Sequence, residues 1–237
     1  MNTKDPFGKA SCEAEVRVLG DKYIDLYFDE TPFNDVAIDS DTYLIIGRRG
    51  SGKTALAQYF SFQKEIPGPI CIEVRRPEVY QQVLAEISRR TSEARAFAVA
   101  HLKRVWEFVI WSLIERALQQ DAPEIEQLCK VDAGSNRMAQ LVADLIQHLM
   151  SFFDEHDDRA AGARIERIVD GAGLDEIKRA AAHVATRRPI IVAIDTLEQY
   201  DVDNDALMNA LAALIEYAAE FNLDYPPQNI HLKVFVS

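Results

Sequence analysis

Cysteine is scarce in this chain and nowhere paired. Cys12, Cys71 and Cys129 are odd in number, far apart and without a C-x-x-C spacing. That argues against a disulfide framework and reads as free thiols in a reducing compartment. Long apolar runs are lacking too. The N-terminus, MNTKDPFGKASCEAEV, is polar and carries no apolar signal segment. The most apolar helical stretch, 105–118, is short and interrupted by Glu107, Glu115 and Arg116, so it does not read as a membrane span. Positive charge is in the minority: 26 Lys and Arg stand against 38 Asp and Glu, a formal net charge of -12 with a pI of about 4.9. Phosphate contacts dominate affinity for nucleic acid, so a chain this acidic is a poor general binder of it, a local basic patch aside. The expected setting is a soluble cytoplasmic protein.

What the chain does have is 237 residues, 48% of them hydrophobic, enough for one sizeable core. Residues 14–20 (AEVRVLG) and 23–28 (YIDLYF) read as short strands, and 34–41 as a polar approach loop. YLIIG (43–47) reads as a buried strand, followed by a helix from Gly52 to about Gln63, a stop at PGP (67–69) and a second strand, ICIEV (70–74). From Pro77 to Thr186 the pattern is helical. Leu102, Trp106, Val109, Leu113 and Ala117 repeat at helical spacing, as do Leu141, Leu145, Leu149 and Phe152, with breaks at 121–123, 132–135 and 171–173. IIVAID (190–195) returns to strand. Leu207, Leu211, Leu214, Ala218 and Phe221 mark a last helix, and HLKVFVS (231–237) a last strand. Strands alternating with helices predict a parallel sheet covered by helices, an α/β fold.

The first strand runs into Gly47-Arg48-Arg49-Gly50-Ser51-Gly52-Lys53-Thr54, which fits G-x-x-x-x-G-K-[ST] at every required position. A loop that wraps a phosphate must turn several backbone N–H groups inward, and glycines at 47, 50 and 52 permit that backbone. A helix starting near Gly52 adds its unpaired N–H groups and the positive end of its dipole. Lys53 would reach the β- and γ-phosphates, and the Thr54 hydroxyl would bind Mg²⁺. The required context, an apolar strand before and an amphipathic helix after, is present.

A second site supports the first. The strand 190–194 ends in Asp195, a carboxylate placed to hold Mg²⁺ through a water at the carboxyl edge of the sheet. Glu198 follows three residues on and would orient or deprotonate an attacking water. Asp201, Asp203 and Asp205 are rivals lying further from the strand end, and they read as a solvated acidic turn.

Together these motifs resemble the P-loop NTPases, over residues 43–75 and 187–237. Within them the chain is most similar to the branch with an additional strand and a catalytic glutamate, to which AAA+ and STAND ATPases belong. Thr196 stands where AAA+ proteins have the glutamate, and the Asp195-to-Glu198 spacing is closer to that of KAP-type ATPases. The resemblance implies a P-loop core at 41–75 and 187–237, an N-terminal segment at 1–40 and a helical insertion or subdomain at 76–186. It also implies that the last strand lies between the two motif strands, with Ser237 as a polar γ-phosphate sensor. The further strand, lid and arginine finger of such families do not follow, so the expected module is C-terminally incomplete, with the phosphate-loop strand an open edge unless the N-terminal segment covers it. No NKxD or DxxG motif suits a GTPase, which leaves ATP with Mg²⁺ as the expected ligands.

Strand direction puts Arg75 and Arg76 at the loop's edge of the sheet, where they would touch nucleotide or a neighbouring subunit, and Arg187 and Arg188 at the opposite edge. The leading expectation is an ATP-binding and ATP-hydrolysing switch or motor module that acts on a protein partner or by self-association, in a setting such as bacterial signalling or defence. Two alternatives stand beside it. One is a nucleotide-gated interaction module with little turnover. The other is a small-molecule P-loop kinase that would use Arg89, Arg90 and Arg95 over the phosphates.

Overall fold

The computed structural model describes residues 12–20, 22, 34, 36–37, 39, 41–48, 50–62, 69–74, 99–121, 158–195, 205–225 and 229–236. Ten elements follow in order: α1 (Cys12–Leu19), β1 (Leu44–Ile46), α2 (Lys53–Phe62), β2 (Ile70–Val74), α3 (Val99–Asp121), α4 (Asp158–Gly171), α5 (Leu174–Ala185), β3 (Ile190–Ile194), α6 (Asp205–Asp224) and β4 (Ile230–Val236). The four strands form one all-parallel sheet in the order β1-β4-β3-β2, so the protein is α/β. β4 lies between β1 and β3, the place expected for it from the two motif strands.

Register divides the sheet into two faces. Leu44, Val234 and Ile194 form one row, Leu232, Val192 and Ile72 a second, and Ile230, Ile190 and Ile70 a third. All three rows join one core with α3, α4, α5 and α6. The opposite phase, Ile191, Ala193 and Phe235, packs with Ala57 of α2 and with Ala37. A sheet covered on both faces explains why β3 is buried at all five positions and reads as a continuous apolar run.

The hub of the helical side of the core is α3, which packs on α4, α5, α6 and β2 and is buried almost all round between Val105 and Glu115. Its tryptophans find partners for their N–H groups on α6: Trp106 donates to the Ala210 carbonyl at 2.8 Å and Trp111 to the Tyr217 hydroxyl at 3.1 Å. Trp111, Phe221 and Tyr225 stack around that contact at centroid separations of 4.7–5.5 Å. On the outer side, Glu107 accepts from Arg104 and, at 2.7 Å, from Lys178 of α5. Arg104 also reaches Glu166 and Asp170 of α4. The break expected at 171–173 is real: α4 ends at Gly171, and Gly173, at φ 72°, turns the chain into α5.

Two strand expectations need correction. Residues 14–20 alternate like a strand, yet 12–19 is helical. Glu, Ala, Arg and Leu favour the helix, and Gly20 ends it at φ 55° with its N–H on the Val16 carbonyl at 2.8 Å, a glycine stop for α1. The strand at 43–47 was expected to be buried. Among the described strands β1 is paired on one side only, by β4, which is the edge position the resemblance implied, and Ile46 at its tip is 72% exposed rather than buried. The segments 23–28, 132–135 and 141–152 lie outside the described residues. Of the cysteines, Cys71 lies half-buried on β2. Among the described residues no helix is long and apolar enough to cross a membrane.

One strand residue carries a pH signature. His231 on β4 has its Nδ1 buried without a hydrogen-bond partner, and burial, with the Lys233 charge adding, lowers its pKa to about 4. The unfolded chain binds this proton at about pH 6.5, so folding stability falls as pH drops from 6.5 and levels off below 4. The loss is about 3 kcal/mol at pH 4. Urea midpoints at pH 7 and pH 4 for wild type and His231→Phe should diverge by that amount. Parallel acid lability in both proteins would show that His231 is not its source.

Candidate functional site

Gly47 and Asp195 each follow immediately on the end of a parallel strand, so they leave the sheet at the same edge. Gly47 is tied to the sheet by its N–H, which donates to the Val236 carbonyl of β4 at 3.0 Å. The loop then folds tightly. The Ser51 N–H donates to the Arg48 carbonyl at 3.0 Å, and the Leu56 N–H bonds to Gly52 O at 2.9 Å as α2 begins. Gly50 and Gly52 lie at φ 81° and 89°, a region that side chains disfavour. Gly47 is close-packed instead: a Cβ there would stand 2.4 Å from the Ser51 hydroxyl oxygen, which would have to turn away.

Lys53, only 6% exposed, spans this loop. Its Nζ donates to the carbonyls of Gly47 at 2.7 Å and Arg48 at 3.1 Å, so the lysine near the motif's end holds the motif's first two residues. Beside it, the Thr54 hydroxyl donates to Asp195 Oδ2 at 2.7 Å, joining side chains 141 positions apart. Asp195 is 1% exposed. The result is a glycine loop at one edge of the sheet with a lysine ammonium held on its carbonyls, and a hydroxyl and a carboxylate bonded to each other beside it. Such an arrangement suits an anion flanked by a hard cation.

The structure therefore brings together Gly47, Lys53, Thr54 and Asp195, with Gly50, Ser51 and Gly52 shaping the turn between them and Arg48 exposed on it. Arg187 and Arg188 precede β3, at the edge away from the loop, as strand direction requires. Arg49, Arg75, Arg76, Arg89, Arg90, Arg95, Glu198, Asp201, Asp203 and Ser237 lie outside the described residues.

Lys233 was not singled out in the sequence. It sits mid-strand, 1% exposed, and its Nζ donates to the carbonyls of Asp39 and Thr42. Burial holds its pKa down to about 8, with the Asp39 and Asp41 carboxylates opposing. The alternation of His231 and Lys233 with Leu232 and Val234 imitates a half-solvated strand. The contrary signal was Phe235 in the same phase, a sign that this face is covered as well.

Comparison of the chain with protein-family models, with curated proteins and with solved structures finds no match.

Proposed function

We propose that the chain binds a nucleoside triphosphate, ATP, with Mg²⁺, in the manner of a P-loop NTPase of the additional-strand branch, and uses its hydrolysis as a conformational switch or motor. The observation that carries this reading is the 2.7 Å hydrogen bond between Thr54 and Asp195 beside a lysine that spans the glycine loop. A chance match to the glycine motif gives no reason for its threonine to meet an aspartate 141 residues on. The loop amides and Lys53 would bind the β- and γ-phosphates. Thr54 and Asp195 offer hard oxygen donors, the set that Mg²⁺ takes alongside waters and phosphate oxygens. Bound there, the ion would neutralise charge on the phosphates. Glu198 is the residue proposed to orient the attacking water.

Equilibrium binding and steady-state turnover of Mg-ATP by wild type, Asp195→Asn and Glu198→Gln test the reading. Asp195→Asn should lose the dependence of binding on Mg²⁺. Glu198→Gln should bind with wild-type affinity and turn over about a hundredfold more slowly or less. Wild type that binds no triphosphate at all would remove the proposal. Wild type that binds tightly without turnover would make the chain a nucleotide-gated interaction module instead.

A further inference from the structure

Lys233 is an expensive residue for its position. Its neighbours in phase are Ile191, Ala193 and Phe235, all apolar and buried. Taking an ammonium out of water costs several kcal/mol, and an apolar side chain would pack there without that cost. Its Nζ bonds two main-chain carbonyls of one short turn, Asp39 O and Thr42 O. That turn closes on itself through the Thr42 N–H to Asp39 O at 3.1 Å, and Asp39 N–H reaches back to Val36 O at 3.2 Å. Lys233 thus fastens the segment that leads into β1 onto the central strand β4.

The strand it leads into is short, and Leu44 and Ile45 pack against different cores, so its register matters. β1 has three residues in register with β4, Leu44 with Val234, Ile45 with Phe235 and Ile46 with Val236, and it lies at the sheet's edge. A slip of one residue would exchange the faces of Leu44 and Ile45 and take the Gly47 N–H away from Val236 O. The two ends of β1 are therefore held by the same partner strand. The Val234 N–H donates to Tyr43 O at 2.8 Å at the start, and Val236 O accepts from Gly47 at the finish.

We propose that Lys233 is a positioning residue for the phosphate loop: by holding the 39–42 turn it fixes the register of β1 on β4, and so the place from which Gly47 and Lys53 meet a ligand. The turn and the register are features of the fold. Their consequence for nucleotide rests on the function proposed above.

Amide hydrogen exchange on the full chain tests the first part without any ligand. Lys233→Met keeps the buried stem and removes the donors. Exchange at residues 43–48 should rise about tenfold, the effect of one buried hydrogen bond, while amides of α3 and α6 keep their protection. Lys233→Gln, which retains two N–H donors, should recover part of it. Should Lys233→Met fail to fold, Asp39→Gly/Asp41→Gly loosens the same turn through two exposed residues, with about a threefold rise expected at 43–48. Unchanged protection at 43–48 in the folded variants overturns the proposal. In a second arm, the Kd of Lys233→Met for Mg-ATP, measured well below its unfolding temperature, should rise about tenfold. Wild-type affinity despite fast exchange would also overturn it, since the register would then not set the loop. If wild type binds no ATP, the functional reading fails and the exchange result still decides whether Lys233 holds β1.

Discussion

Lys53→Ala should weaken Mg-ATP binding by a hundredfold or more while leaving the chain folded. Two losses combine in this variant. The first is the charge-assisted bond that the ammonium would make to the phosphates. Truncating one partner of a buried charged pair costs about 2–5 kcal/mol, which corresponds to roughly 30- to 5,000-fold in Kd. The second is the loop itself. Lys53 Nζ holds the Gly47 and Arg48 carbonyls at 2.7 and 3.1 Å, and without it both carbonyls lose the donor that ties them to the start of α2. Preorganisation of the N–H groups is then lost as well, and the ligand must supply the ordering. Folding should tolerate the change, because the site lies at the edge of the sheet and the two cores do not include Lys53. Titration calorimetry with far-ultraviolet circular dichroism as the control measures both. A Kd within threefold of wild type would remove the phosphate-loop reading, whatever the sequence motif suggests.

Much of this site was legible in the sequence because its logic is local. Glycines at positive φ, a helix start and a lysine all lie within eight residues, and the chemistry requires them at fixed spacing. Asp195 was legible because a strand buried on both faces ends abruptly at a charge. Tertiary partners were not legible. The strand pattern gives no sign that Gly47 would donate to Val236 O, nor that Lys233 would reach back to a turn 191 to 194 positions earlier. Edge position was legible only through the family resemblance, which implied an open edge at the glycine-loop strand. Tyr43 to Ile46 is as apolar as Ile190 to Ile194, so apolar patterning alone does not separate the edge strand from the central one. At residues 14–20 a period-two pattern competed with helix formers, and the deciding residue was Gly20, whose left-handed backbone stops a helix. Alternation over so few residues is weak evidence against a glycine stop.

The shortness of β1 leads to the second large effect. β1 reaches β4 only from Val234 onward, apart from the Val234 N–H to Tyr43 O bond, so among the described residues no strand pairs with the backbone of Leu232 on that side. Leu232 is paired in register with Val192 on β3, yet its own N–H and C=O both go to the side chain of Asn222 on α6. Asn222 Oδ1 accepts from Leu232 N at 3.1 Å. Its Nδ2 donates to Leu232 O at 2.7 Å and to Ala218 O at 2.8 Å. A buried amide, 6% exposed, thus stands in for the missing stretch of neighbouring strand. Asn222→Leu keeps the approximate volume and deletes all three bonds, leaving a buried N–H and a buried C=O on Leu232 unsatisfied. Each such group costs about 1–3 kcal/mol, so a loss of about 4 kcal/mol in unfolding free energy is expected, a large part of a domain's margin. Urea denaturation followed by tryptophan fluorescence reads it directly, since Trp106 and Trp111 lie on the helix packed against α6. Asn222→Asp should lose at least as much at pH 7, because it keeps the acceptor for Leu232 N but sets a buried carboxylate against the Leu232 and Ala218 carbonyls. A loss below about 1 kcal/mol for Asn222→Leu would mean that Leu232 finds other partners once the amide is gone. The edge of β4 beside the lead-in turn would then be far more adaptable than a side chain bonded at three points implies.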